Sequence, residues 1–265
     1  MNTILFLLLN ILFTLPLIAE TKIKEDFTDS LKYMGKASYL QFSETPSLYY
    51  FGIGTGTVLW ANHNDTKIVN SVSKNKSNKV VTFLGNDLAI LGNSPILPLS
   101  FYFYGTTSEN SKIVNFSKEY FSALYLTLAE TVLLSQFNFH PRPETSHLTM
   151  WETSFRGNSS FPSGHVAGLS VLTFKTFQFY GPLYAIAPLS LTLISSFERV
   201  NTKKHYPSDV AAAIFLSAMS SEGVRIAAQN TKDNDTIYEK FLEKTHFQIF
   251  AFNNQYLMQV AWDFQ

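Results

Sequence analysis

The chain has 265 residues, enough for one sizeable core or two small ones, and its 46% hydrophobic against 15% charged content excludes general disorder. Formal net charge is zero, so nothing in the overall balance points to nucleic acid. Cysteine is absent, which removes thiol catalysis, disulfide staples and thiolate zinc sites.

Ile4 to Ile18 form a nearly continuous apolar run that closes on Ala19, ahead of the polar stretch Glu20 to Lys24. The run is short against the roughly 20 residues of a membrane span and has the length of a signal-peptide core. Residues 1–19 are therefore predicted to direct export to the periplasm or beyond. Residues 20–80 read as a lead-in followed by a solvated loop. Within them Gly52, Gly54 and Gly56 alternate, yet no Gly-Lys-Ser/Thr follows, so close packing explains these glycines better than a phosphate loop does. The Asn-, Ser- and Lys-rich residues 62–80 complete the loop.

From 81 to 229 the pattern is helical and predicts the core. Val81 to Tyr104 is apolar but interrupted by Gly92, Pro95 and Pro98. Ser117 to Phe139 offers Leu124, Leu126, Leu128, Val132 and Leu133 as a broad apolar surface. His140-Pro141-Arg142-Pro143 must end it, because a residue before proline is pushed to extended backbone. A polar loop from Glu144 to Ser160 leads to helices predicted over Ser163 to Tyr180, Pro182 to Phe197 and Pro207 to Gln229. In the tail, 230–265, two alternating apolar runs flank Asn253-Asn254, with Tyr256, Met258, Val260, Trp262 and Phe264 on one face. The expected fold is all-α, a helical bundle with its chemistry at helix ends, plus a C-terminal β-hairpin packed on that bundle. Pro182 to Phe197 is uncharged but short, and Glu130 and Lys175 sit inside other helices, which favours a soluble exported body over an integral one.

Three short segments carry chemistry. Arg142, in a proline-locked turn past a helix end, can grip an anion with two parallel hydrogen bonds, although such arginines more often serve as surface ion-pair partners. Phe161-Pro162-Ser163-Gly164-His165 opens a helix: Ser163 is a natural cap and Gly164 lets an anion approach free backbone N–H groups, with His165 at the rim. In isolation this segment is more often an ordinary helix cap. The third runs from Glu198 to Asp209. Pro207 suits the first turn of a helix, which puts Asp209 in that turn and His205 just outside it. A carboxylate so placed can orient an imidazole and leave its other nitrogen free to attack.

In order and spacing, Arg142-Pro143, Pro162 to His165, and Arg199, His205 and Asp209 resemble the signature of the type 2 phosphatidic-acid phosphatase superfamily. That superfamily includes bacterial class A acid phosphatases and vanadium-dependent haloperoxidases, and its signature reads Lys-x6-Arg-Pro, Pro-Ser-Gly-His, then Ser-Arg-x5-His-x3-Asp. The resemblance covers residues 82 to 226, including Gly85-Asn86-Asp87. It implies a hydrolase in which His205 attacks phosphorus to form a phosphohistidine, Asp209 holds its ring, and His165 protonates the leaving oxygen and then activates water. Arg142, Arg199, Ser163 and Gly164 would bind phosphate, with no metal or cofactor. The implied partner is a phosphorylated lipid or a small phosphate ester, with a membrane surface as a further candidate.

Two positions depart from the pattern. The lysine place holds Ser135, and the serine before Arg199 is Glu198. One lost charged contact is worth roughly 1.5–3 kcal/mol, which weakens phosphate binding without removing the reaction. Glu198 would repel phosphate unless it turns away or pairs with a base such as Lys203. Three readings follow: a lipid phosphatase or pyrophosphatase, with a soluble non-specific acid phosphatase as its variant; a vanadate-dependent haloperoxidase; and a non-catalytic relative with a weakened phosphate site.

Overall fold

The structure is a computed structural model that describes residues 17–74, 78–144, 159–229, 238, 245–252 and 255–262. Most of the predicted export segment and most of the 144–160 loop lie outside these residues. The helices, numbered here in chain order, are α1 Leu17–Leu40, α2 Thr45–Val72, α3 Lys79–Thr82, α4 Leu88–Gly92, α5 Ile96–Thr107, α6 Ser111–Ser135, α7 Gly164–Tyr180, α8 Pro182–Asn201 and α9 Pro207–Ala228. A single π turn, Phe83–Asp87, joins α3 to α4. The all-α class stands.

Local chemistry sets the boundaries. Asn110 caps α6, its side chain accepting from Ile113 N at 3.2 Å. Pro182 and Pro207 occupy first-turn positions where a missing N–H costs nothing. Helix α8 runs past Phe197 to Asn201, which carries Glu198 and Arg199 into its last turn. The segment 81–104, interrupted by Gly92 and Pro95, becomes two helical stretches bent by 63°.

Residues 20–72 are not a lead-in and loop but the two long helices α1 and α2, and both pack on α9. The Asn- and Ser-rich composition of 62–72 misled because its buried positions fall one turn apart: Ala61, Asp65 and Val69 face inward while polar neighbours face out. Gly54 shows why glycine is needed there. A Cβ on it would sit 2.7 Å from the Phe215 side chain of α9, so α2 can approach that helix only without one.

Helix α9 is the axis of the body, packed by α1, α2, α6 and α7. Its buried face is small and polar, with Ser208, Ala213, Ser217, Ala218, Ser220, Ser221 and Gly223. Aromatic density lies between α5, α6 and α7, where Phe116 meets Phe101, Tyr120 and Phe179. A second, smaller core unites Val69, Val166, Val200, Val210 and Ala213. Among the described residues α9 is also long and apolar enough to cross a membrane, but 67% of that window is buried inside the body.

The hairpin half of the expectation is not supported. Among the described residues, Thr245–Phe252 and Gln255–Trp262 pair antiparallel with each other, and no element pair of any extent joins them to a helix. A two-stranded ribbon without such cover is marginal in water, so alternation alone was a weak guide to a docked element.

Candidate active site

The second core explains how the site is held. Its members adjoin the chemistry-bearing residues in sequence: Val166 follows His165, Val200 follows Arg199, and Val210 follows Asp209. Burying these small β-branched side chains together fixes the helix ends that carry the polar groups.

Backbone ties then lock the segments to one another and close the third on itself. His140 carbonyl accepts from Ser160 N at 2.8 Å and Ser160 Oγ at 2.9 Å, and Pro141 pairs with Ser159, joining the arginine turn to the start of the second segment. Ser163 N donates to the Asp209 carbonyl at 3.0 Å, joining the second to the third. His205 N donates to the Arg199 carbonyl at 3.2 Å, closing the loop between α8 and α9. Lys203, in the left-handed region at φ 56°, makes that reversal.

His205 and Asp209 are both buried, with Nδ1 3.5 Å from Asp209 Oδ2. Asp209 Oδ2 also accepts from Tyr206 N at 2.8 Å, one arm of a helix cap. Burial alone would raise the Asp209 pKa, but hydrogen bonds from His140, His205 and Tyr206 N and the charge of His205 hold it at about 2. Arg142 is buried and Ser163 fully so, whereas Gly164 and His165 remain partly open at the mouth of α7. Asn93, at the end of α4, donates to Gly164 O at 2.9 Å and accepts from Gly168 N at 3.0 Å, which fixes that mouth.

Arg199 is 1% exposed and held on two sides. Its Nε lies 2.5 Å from Glu198 Oε2, its Nη2 contacts the same oxygen, and Nη2 also reaches Asn86 Oδ1 at 2.6 Å. The partner of Glu198 is thus Arg199 itself rather than Lys203. Asn86 arrives on the π turn, which can pack because Gly85 has no Cβ; one there would lie 2.7 Å from Glu198 Cβ. At the lysine position, Ser135 is buried and donates to its own helix, Oγ to Val132 O at 2.7 Å, so it supplies no charge.

Two residues at the site carry no motif in the sequence reading. His140 donates from Nδ1 to Asp209 Oδ1 at 3.1 Å and stacks on Tyr206, with ring centroids 4.1 Å apart. Its pKa is raised, first by that hydrogen bond and then, against burial, by the charges of Asp209 and Asp65. Asp65, on α2, accepts from Ser208 N at 3.0 Å and Ser208 Oγ at 2.5 Å. The only sequence signal for His140 was its place two before Arg142; Asp65 had none. Among the described residues no cluster of His, Asp or Glu side chains is arranged to hold a metal ion.

Residues 118–232 match the PAP2 superfamily. The resemblance to type 2 phosphatidic-acid phosphatases is borne out at that level, and the match supports a phosphatase acting on phosphate esters. It takes in Arg142, Ser163 to His165, Arg199, His205 and Asp209, and leaves α1, α2 and the π turn outside. No curated protein and no solved structure matches the chain.

Proposed function

We propose that the protein is an exported phosphatase that hydrolyses phosphate monoesters or pyrophosphates of lipids through a phosphohistidine. His205 Nε2 attacks phosphorus while Nδ1 is turned to Asp209; the ester P–O bond breaks and His165 gives its proton to the leaving oxygen. His165 then takes a proton from water, whose oxygen displaces the histidine and releases phosphate. Arg142, Arg199, Ser163 and the Gly164 N–H stabilise the equatorial oxygens. The observation that carries this reading is the buried His205–Asp209 pair, tied by a backbone bond to the second segment and by the His140 side chain to the arginine turn.

Lipid as substrate is supported by apolar surface next to the second segment. A cleft of about 280 Å³ is lined by Tyr50, Val58, Leu134, Phe161, Pro162 and Phe215, and Phe161-Pro162 runs directly into Ser163. Phe137 and Phe139, exposed and stacked at 5.6 Å, precede His140. Helix α8 is inverted for a water-soluble protein: Thr192 and Ser195 face in, while Leu183, Ile186, Leu189, Leu193 and Phe197 face out. Exposed apolar stripes of this extent mark contact with another apolar phase, here a lipid surface. Vanadate fits less well, because Arg199 is already matched by Glu198 and Ser135 adds no charge.

A panel of phosphatidate, polyprenyl pyrophosphate and soluble phosphate esters, assayed with and without detergent, tests the reading. Phosphate release from a lipid, lost at least ~10³-fold in His205→Ala, is the expected result. Release from soluble esters alone makes it an acid phosphatase. The Glu198–Arg199 pair favours the non-catalytic relative as second reading, and activity unchanged by His205→Ala would leave that reading standing.

A further inference from the structure

Asp209 is shared. One of its oxygens takes His140 Nδ1 at 3.1 Å, and the other faces His205 Nδ1 at the longer distance of 3.5 Å. His140 is in turn flanked on its far side by Asp65, whose Oδ2 lies 4.0 Å from Nε2, a charge contact rather than a hydrogen bond. Asp65 is itself 3% exposed and fixed by two hydrogen bonds from Ser208, in the same helical turn as Asp209. We propose that Asp65 and His140 are positioning residues for the reaction, forming with Asp209 a carboxylate–imidazole–carboxylate chain that aims His205. This inference deepens the proposed function and rests on His205 as the nucleophile.

The chain is built from three separate parts of the molecule: α2, the turn after α6, and the first turn of α9. Asp65 lies outside the segment that matches the PAP2 superfamily, so this half of the device belongs to this chain's own N-terminal helices. Among the described residues the groups facing His140 are Asp65 from α2, and Asp209 and Tyr206 from α9 and its cap; His205 faces it across Asp209. Tyr206 stacking and the Ser160 bonds to the His140 carbonyl limit how the ring can turn.

The charge logic is simple. A protonated His140 between two carboxylates leaves the trio with one net negative charge, as much as a lone Asp209 would offer His205. That charge is spread, and each imidazole is assigned its own oxygen of Asp209. Removing the Asp65 charge takes one counter-ion from His140, so His140 releases its proton at lower pH and the orientation of His205 changes with it.

Asp65→Asn is the sharp test, since its amide oxygen still accepts from Ser208 while the charge is gone. Histidine ring NMR titrations of the full chain, assigned with His140→Gln and His205→Gln, read the coupling whether or not the protein turns over substrate. In Asp65→Asn the His140 titration should move to lower pH. In parallel, kcat should fall several-fold with KM unchanged, and the pH dependence of kcat should shift. Ring titrations in Asp65→Asn that superimpose on wild type overturn the proposal, even if kcat falls, because Asp65 is then only a helix cap. Should Asp65→Asn fail to fold, His140→Gln decides: an unchanged His205 titration overturns the proposal and a shifted one supports it. Absence of phosphate release from every substrate would instead count against the proposed function alone.

Discussion

Charged side chains are buried at two levels of this bundle, and they are arranged differently. In its middle each charge has a dedicated partner. Lys175 and Glu119, both fully buried, meet at 2.8 Å; Glu222 takes Arg225 at 2.8 Å, Gln178 at 3.0 Å and Tyr238 at 2.8 Å. At the end of α9 one carboxylate, Asp209, answers to two imidazoles, and a second carboxylate stands behind. The middle arrangement sets opposite charges directly against each other, so that each buried charge is compensated within the bundle. The end arrangement sets two imidazoles against one carboxylate with a second carboxylate behind, the kind of grouping a proton-moving site uses.

The largest expected effect tests the middle level. Lys175→Met leaves Glu119 buried without its cation and should cost roughly 3–5 kcal/mol in urea unfolding. The pH profile of the remaining native enzyme should not move, and Lys175→Met with Glu119→Met should recover most of the loss. A shifted profile would merge the two levels into one network.

Glu130 stands between them. Burial pushes its pKa up to about 7, although Gln41 and Ser220 donate to it. A carboxyl raised in the folded state loses stability as pH climbs from its unfolded value of about 4.5 to 7. Glu130→Gln should therefore be neutral at pH 4 and stabilising by about 3 kcal/mol at pH 8, read by unfolding at both values.

The smallest effect belongs to the site. Asp209, depressed to about 2, contributes stability that is complete above its unfolded pKa and lost as pH falls from about 4 toward 2, on the order of 2 kcal/mol. His140 works in the opposite sense: being raised, its share is complete below the ordinary imidazole value of about 6.5 and fades as pH rises through its folded pKa. His140→Gln should flatten the alkaline fall and shrink the acid one, measured as melting temperature against pH.

Much of this was legible in the chain. Pro207 and the proline before Ser163 announced helix starts, and the spacing of His205 and Asp209 placed them at the opening of α9, where the structure has them. The turn at His140 to Pro143 ended its helix as proline sterics require, within a few residues. Asp65 was invisible because its partner, Ser208, lies 143 residues away and no local pattern encodes such a bond. Glu198 was flagged as a departure, but its choice of Arg199 over Lys203 depends on the π turn, which brings Asn86 to the other side of the guanidinium. The terminal alternation described a ribbon and could not say whether anything covers it.

The bond between Asp65 and Ser208 also sets a clock. At roughly 5–20 residues per second of synthesis, the carboxylate waits about 7–30 s before its partner exists. Until then α9 has no start, Ser163 has no carbonyl to bind, and His140 has no Asp209. Before Asp209 is made the three segments cannot form a site, so a shorter nascent chain has no complete machinery to act on esters it meets on the way.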